Sequence, residues 1–159
     1  MSAVISECGT YRYWLERTWG TGPRMGFIML NPSTADAEID DPTIRRCIGF
    51  AKREGCGGLA VVNVFAFRAT DPSNLPQCSL AASGPENAAY LHKLSTYADG
   101  PIIAAWGANA KAATRRFEIL RDMGRLGRKL HALKVTKSGS PGHPLYIHSE
   151  SPLVEFGHN

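Results

Sequence analysis

MGFIMLNPSTADAEIDD, residues Met25 to Asp41, is the stretch from which the fold follows. It opens with an apolar run, Met25-Gly26-Phe27-Ile28-Met29-Leu30, breaks at Asn31-Pro32-Ser33-Thr34, and turns acidic at Asp36, Glu38, Asp40 and Asp41. The run is too short to span a bilayer and fits a strand buried on both faces. Pro32 ends it, because proline cannot donate to a β ladder. Asn31 is thereby placed at the strand's carboxyl end, with an amide that both donates and accepts. Strand, sharp stop, polar loop and helix start is how open α/β sheets present ligand-binding loops.

The pattern repeats outward from there. Asp41-Pro42-Thr43 is a helix start, an Asp cap followed by Pro at the first helical position. Ile44, Cys47, Ile48 and Ala51 keep one apolar face at helical spacing, and Gly55, Gly57 and Gly58 end the helix. Leu59 to Phe65 is a second buried strand interrupted by one amide, Asn63, and Phe67 to Cys78 is a loop. A helix runs from Gly84-Pro85-Glu86-Asn87 to about Ala98. Pro101 to Trp106 is a third buried strand, and Gly107 begins a helix reaching about Met123. Lys129 to Val135 alternates as a fourth strand, and the polar, glycine-rich segment Thr136 to Gly142 delivers His143-Pro144-Leu145-Tyr146. Upstream, Tyr11, Tyr13 and Leu15 alternate with Arg12, Trp14 and Glu16, as in a half-exposed antiparallel strand. The turn Gly20-Thr21-Gly22-Pro23 then suggests an N-terminal hairpin with Met25–Leu30. Strands alternating with helices predict an α/β protein, a three-layer αβα sandwich around a mostly parallel sheet, forming a single domain over 1–159.

Composition sets the class. The chain has 159 residues, 43% hydrophobic and 20% charged, which argues for a globular protein and against disorder. No stretch reaches the roughly 20 apolar residues of a membrane helix. The N-terminal MSAVISECGTYRYW lacks the basic start and apolar core of a signal peptide, so a cytoplasmic protein is expected, with no membrane partner. Cys8, Cys47, Cys56 and Cys78 contain no CxxC pair; disulfides are not expected, and Cys47 should be a buried thiol. No cofactor and no metal centre is expected. The net charge is +4, and half of the 18 Lys and Arg residues fall between Lys111 and Lys137. That stripe is either a solvated helix face or a phosphate-contacting surface, with Arg115, Arg116 and Lys129 as the residues placed to meet a nucleic-acid backbone.

If the sheet is parallel, its strand ends gather Asn31, the loop after Asn63, Trp106-Gly107 and His143 on one edge. A buried amide such as Asn63 needs partners or costs about 1–3 kcal/mol. Arg68, after the second strand, is placed to contact a phosphate or to pair with Asp71. His143 sits on a loop beside a rigid proline and is suited to proton or hydrogen-bond chemistry near neutral pH.

The strings YRYWLERTW, MLNPSTADAEIDDPTIRRCIGFA, VVNVFAFRATDP, GPEN, AWG and TKSGSPGHPLYI together resemble the uncharacterised bacterial and phage proteins of domain-of-unknown-function family 1643, over nearly the whole chain. A second resemblance carries more chemistry. The order strand-Asn-Pro-Ser, strand-Asn followed by Arg-Ala, Trp-Gly-x-x-Ala and His-Pro is similar to the uracil-DNA glycosylase superfamily. That likeness implies a base-recognising fold in which Asn31 positions an attacking water, Asn63 reads the base edge and His143 stabilises the leaving base. Pro32, Ser33, Asp36, Phe67, Arg68, Trp106 and Tyr146 would complete the substrate site, with Phe65, Phe67 or Trp106 as the stacking aromatic. The final motif departs from the superfamily's His-Pro-Ser, reading His-Pro-Leu-Tyr, and the cysteine spacing of the iron–sulfur glycosylases is absent.

The expected function is therefore recognition of a nucleobase in nucleic acid or a nucleotide, with hydrolysis of an N-glycosidic bond as the reaction. Two other readings stand beside it. One is a non-catalytic nucleic-acid or nucleotide-binding protein. The other is a metal-dependent nucleotide hydrolase using Asp36, Glu38, Asp40 and Asp41, although Asp40 and Asp41 also suit helix capping. Oligomeric state is not legible in the sequence.

Overall fold

The computed structural model describes residues 2–157. Seven strands, β1 (Ser2–Ile5), β2 (Arg12–Thr18), β3 (Arg24–Met29), β4 (Gly58–Asn63), β5 (Ile102–Ala104), β6 (Leu130–Ala132) and β7 (Val154–Phe156), form one sheet in the order β1-β2-β4-β3-β5-β6-β7. Five α-helices accompany them among the described residues: α1 (Pro42–Arg53), α2 (Ser79–Ser83), α3 (Asn87–Tyr97), α4 (Ala110–Ala113) and α5 (Arg116–Arg125).

The sheet is mixed, which corrects the expectation of a mostly parallel one. Its centre, β4-β3-β5-β6, is parallel. Its flanks, β1 and β2 on one side and β7 on the other, are antiparallel. The expected hairpin between β2 and β3 does not form, because β4 lies between them and pairs with both. The N-terminal hairpin is instead β1 with β2. β2 is also not half-exposed: Arg12, Tyr13, Trp14, Leu15 and Arg17 are all buried.

Apolar residues alternate across the central strands as a sheet covered on both faces requires. Met25, Phe27 and Met29 of β3, with Leu59 and Val61 of β4, pack against Ile44, Cys47, Phe50 and Ala51 of α1. Ile28, Ala60, Val62, Ile102 and Ala104 face the other way, onto Ala82, Leu91, Leu94, Ala112, Ile119 and Met123 of the remaining helices. Gly26 matters here: a Cβ would lie 3.1 Å from the Leu94 side chain, so its absence lets α3 rest directly on β3. The helix expected from Gly107 to Met123 is broken into α4 and α5, and α4 is capped by the Asn109 side chain accepting from Lys111 N and Ala112 N. Among the described residues no helix is long and apolar enough to cross a membrane.

Candidate functional site

The parallel strands all point their carboxyl ends to one edge. β3 is followed by α1 on one face and β4 by α3 on the other, so the chain reverses its direction of winding at β3, the usual position of a ligand cleft in an open α/β sheet. A cleft of about 1100 Å³ lies there, bordered by the ends of β3, β4 and β5, the start of α1 and the loop after β6.

Asn31, Asn63 and His143, separated by up to 112 positions in sequence (143 − 31), all line this cleft. Each is held differently. Asn31 Nδ2 donates to Ala69 O at 2.7 Å and to Pro32 O at 3.1 Å. These bonds fix the amide orientation and leave Oδ1 as an acceptor with no donor among the described residues. They also lace the loop after β3 to the segment after β4, helped by Val64 N to Met29 O and Ala69 N to Pro32 O.

Asn63 ends β4 in register with Met29 of β3. It is only 1% exposed, yet neither Oδ1 nor Nδ2 has a hydrogen-bond partner. Its main-chain carbonyl is satisfied, accepting from Asn87 Nδ2 at 2.9 Å. A fully buried amide with no protein partner is unusual, since the large majority of buried polar atoms are bonded.

His143 is positioned by several close approaches. Gly142 N donates to Lys134 O at 2.7 Å and Gly107 N to Pro141 O at 2.9 Å. Gly107 has φ +73°, and a Cβ there would lie 3.5 Å from His143 Cβ, so the glycine supplies the turn that brings the two loops together. Arg46 of α1 donates through Nε to Pro144 O and through Nη2 to Ile147 O, clamping the short 3₁₀ turn Pro144–Tyr146. His143 Nδ1 accepts from Leu145 N at 3.2 Å. An accepting Nδ1 carries no proton, so the neutral ring holds its hydrogen on Nε2. Burial lowers the imidazole pKa below its ordinary value, opposed by Asp41, and keeps the ring neutral at pH 7.

The other expected site residues divide. Ser33, Trp106 and Tyr146 line the cleft; Pro32, Asp36, Phe67 and Arg68 do not. Trp106 is mostly core, edge-on to Phe156 with ring centroids 5.5 Å apart. Tyr146, by contrast, is 83% exposed at the cleft mouth, 5.6 Å from the His143 ring. Phe67 packs edge-on against Tyr11.

Three carboxylates of the opening stretch's acidic tail, Asp36, Asp40 and Asp41, have structural roles. Asp36 Oδ1 accepts from Glu38 N and Ile39 N, which closes a turn and holds the carboxyl below its usual pKa. Asp40 pairs with Arg17 Nε at 2.8 Å, and Asp41 Oδ1 caps α1 at Ile44 N, 2.8 Å away. Arg17, 2% exposed, also donates to the carbonyls of Glu16, Asp36 and Ile39 and so fixes the whole loop. These carboxylates do not converge, and among the described residues no group of three His, Cys, Asp or Glu could hold a metal ion.

The basic stripe divides: Arg121, Arg125, Lys129, Lys134 and Lys137 are exposed, while Lys111, Arg115, Arg116 and Arg128 are half-buried and bond to the protein itself. Arg115 Nη1 donates to Val64 O at 2.7 Å and to Ser83 Oγ at 2.6 Å. Arg116 Nη1 donates to Gly139 O at 2.6 Å, and its guanidinium lies over the Phe156 ring. Arg128 donates to the carbonyls of Ser95, Ala98 and Gly100, and Lys111 to Leu75 O. Lys129 is exposed and pairs with Glu155 at 3.5 Å.

Sequence reasoning missed Arg12. It lines the cleft at 2% exposure. Its strand pattern suggested a solvent-facing cation, but its main chain bonds Ala66 O beyond β4 and its guanidinium reaches Ala35 O in the loop after β3.

No curated protein and no solved structure matches the chain. Residues 12–145, which include Asn31, Asn63 and His143, match the family described as protein of unknown function (DUF1643), and the chain belongs to that family.

Proposed function

We propose that this protein recognises a nucleobase in the cleft at the β3–β6 strand ends and hydrolyses an N-glycosidic bond of a modified or deaminated base. The observation that carries this reading is the convergence of Asn31, Asn63 and His143 on one cleft, with the buried Asn63 amide unpartnered. Paired donor and acceptor atoms on one amide match the edge of a base, and a site left with an unpaired amide rejects ligands that cannot supply the complement. Cleavage develops positive charge on the sugar and negative charge on the base. The His143 Nε2–H is a neutral donor suited to stabilise that base anion. Asn31 Oδ1 accepts a hydrogen bond from water and orients it, but an amide is no strong base, so the chemistry would be slower than with a carboxylate. The corresponding fold reading is a glycosylase-like αβα sandwich, supported by helices packed on both faces of the parallel centre.

One observation favours a non-catalytic reader of the same ligand. Asp41 is the carboxylate that lines the cleft, and its Oδ1 is engaged in capping α1. Base release separates the two. Purified protein is incubated with DNA and nucleotides carrying deaminated and modified bases, and free base is measured by chromatography. Release that disappears in Asn31→Ala and His143→Ala supports catalysis. Saturable binding without release supports the reader, and neither release nor binding across the panel removes both.

A further inference from the structure

Arg12 is a buried cation without an anion. Its Nη1 donates to Ala35 O at 2.9 Å. Among the described residues Nε is buried with no partner, Nη2 has none, and no carboxylate lies within ion-pair distance. Most of the guanidinium's five N–H donors are thus idle at 2% exposure. A buried charge left unpaired is strongly unfavourable, so such a group is ordinarily paired or hydrogen-bonded. Burial drives its pKa down to about 10, with Asp41 opposing that shift and the charges of Arg68 and Arg17 adding to it. Arg68 has no ion pair of its own among the described residues and reinforces the positive field. Lys134 and Lys137 line the same cleft from the loop after β6.

We infer that Arg12 is the anchor for a terminal phosphate group of the cleft's ligand, so that the protein binds a free nucleotide or a strand end rather than the interior of a polynucleotide. The planar guanidinium fork matches phosphate geometry, and in a site shielded from water the pair is stronger than at a surface. Two observations select a terminal phosphate. A group 2% exposed at the wall of a nucleotide-sized cleft admits a small phosphomonoester more readily than a diester flanked by two sugars. Of the basic residues expected to meet a polymer backbone, Arg115 and Arg116 are engaged with carbonyls of the protein itself and Lys129 pairs with Glu155. Asp41 is the opposing charge on the cleft wall. This inference rests on the cleft being the ligand site, but not on base release.

The test is calorimetric titration of the full chain at fixed low salt with inorganic phosphate, pyrophosphate, the nucleoside 5′-monophosphates, the matching nucleosides and a dephosphorylated oligonucleotide. The monophosphates should bind at least about ten-fold more tightly than their nucleosides, a difference of about 1.4 kcal/mol. Arg12→Met should erase that difference while leaving nucleoside binding in place. Arg12→Lys, which keeps the charge and loses the fork, should restore part of it. Asp41→Asn keeps a capping side chain and removes the repulsion, so it should tighten monophosphate and inorganic phosphate binding whether or not Arg12→Met folds. Equal affinity for nucleotide and nucleoside, or failure of every phosphate probe to bind, overturns the assignment. So does discrimination that survives Arg12→Met. Arg12-dependent binding of the dephosphorylated oligonucleotide that monophosphates fail to compete overturns the terminal-phosphate assignment. Absence of base release with Arg12-dependent phosphate binding leaves it standing and rejects only the hydrolytic reading.

Discussion

Replacing Asn63 with leucine should make the protein more stable. Asn63 is 1% exposed, and both amide atoms lack partners. Leucine is nearly the same shape and brings no polar atom. An unmade buried hydrogen bond costs about 1–3 kcal/mol. Removing the unpaired amide should therefore raise the unfolding free energy by about 1–3 kcal/mol, with small misfits in packing setting the lower end. For a domain of this size each kcal/mol moves Tm by about 2–4 °C. Urea denaturation should show a higher midpoint with an unchanged slope. Asn87→Leu is the internal control with the opposite sign. Asn87 is equally buried, but its Nδ2 donates to Asn63 O and Val64 O. Its loss strands the Asn63 carbonyl, while Val64 O keeps Arg115 Nη1, and should cost about 1–3 kcal/mol, less what is regained by removing its own unpaired Oδ1. Destabilisation of Asn63→Leu by an amount like that of Asn87→Leu would refute the reasoning, because it would mean the Asn63 amide serves the fold and not a ligand.

Arg17→Met should destabilise by about 3 kcal/mol, the low end for breaking a buried pair because Asp40 keeps access to solvent, and should loosen the loop from Asp36 to Asp40; urea melts and limited proteolysis of that loop would read both. The folded His143 pKa lies below the ordinary 6.5, so the unfolded chain binds more protons in that window. Stability from this group is present above about 6.5 and is lost as pH falls toward the folded pKa, a loss that His143→Gln should remove from the pH dependence of the urea midpoint. Thiol alkylation at pH 7 should be ordered by environment. Cys8, exposed and brought down to about 7 by hydrogen bonding with Ser6 and Thr10, should react before the buried thiols, while burial raises Cys47 and Cys56 and should protect them until the protein unfolds. Mass spectrometry of tryptic peptides would show equal labelling if that order is wrong.

The parts of the fold visible in the sequence are those with local causes. The apolar runs around Phe27, Val61 and Ile103 become β3, β4 and β5 because Pro32, Gly58 and Pro101 bound them. Asp41-Pro42 starts α1 where a cap and a preset φ coincide. That Asn31, Asn63 and His143 come to one edge is legible because parallel strands send their carboxyl ends to the same side. What the sequence hides depends on partners far along the chain. β1 and β7 are 4 and 3 residues long and exist only through pairing with β2 and β6. The insertion of β4 between β2 and β3 leaves no mark in the turn Gly20–Pro23. The turn closed by Asp36 is hidden in the same way, because the loop in which its carboxylate meets Glu38 N and Ile39 N is held by Arg17. Which cations between Lys111 and Lys137 bond the protein's own carbonyls is also hidden, because arginine donates to a carbonyl and to a phosphate with the same atoms.

The central claim is that Asn31, Asn63 and His143 form one base-recognising cleft, and the side-chain amide and imidazole resonances of these residues test it most directly. Isotope-labelled protein titrated with nucleotides carrying different bases should show saturable shifts at the Asn31 and Asn63 NH₂ groups and the His143 ring, with base-dependent magnitude at Asn63. Shifts confined to other surfaces, or shifts at the cleft that are the same for every base and for a base-free sugar phosphate, would contradict it.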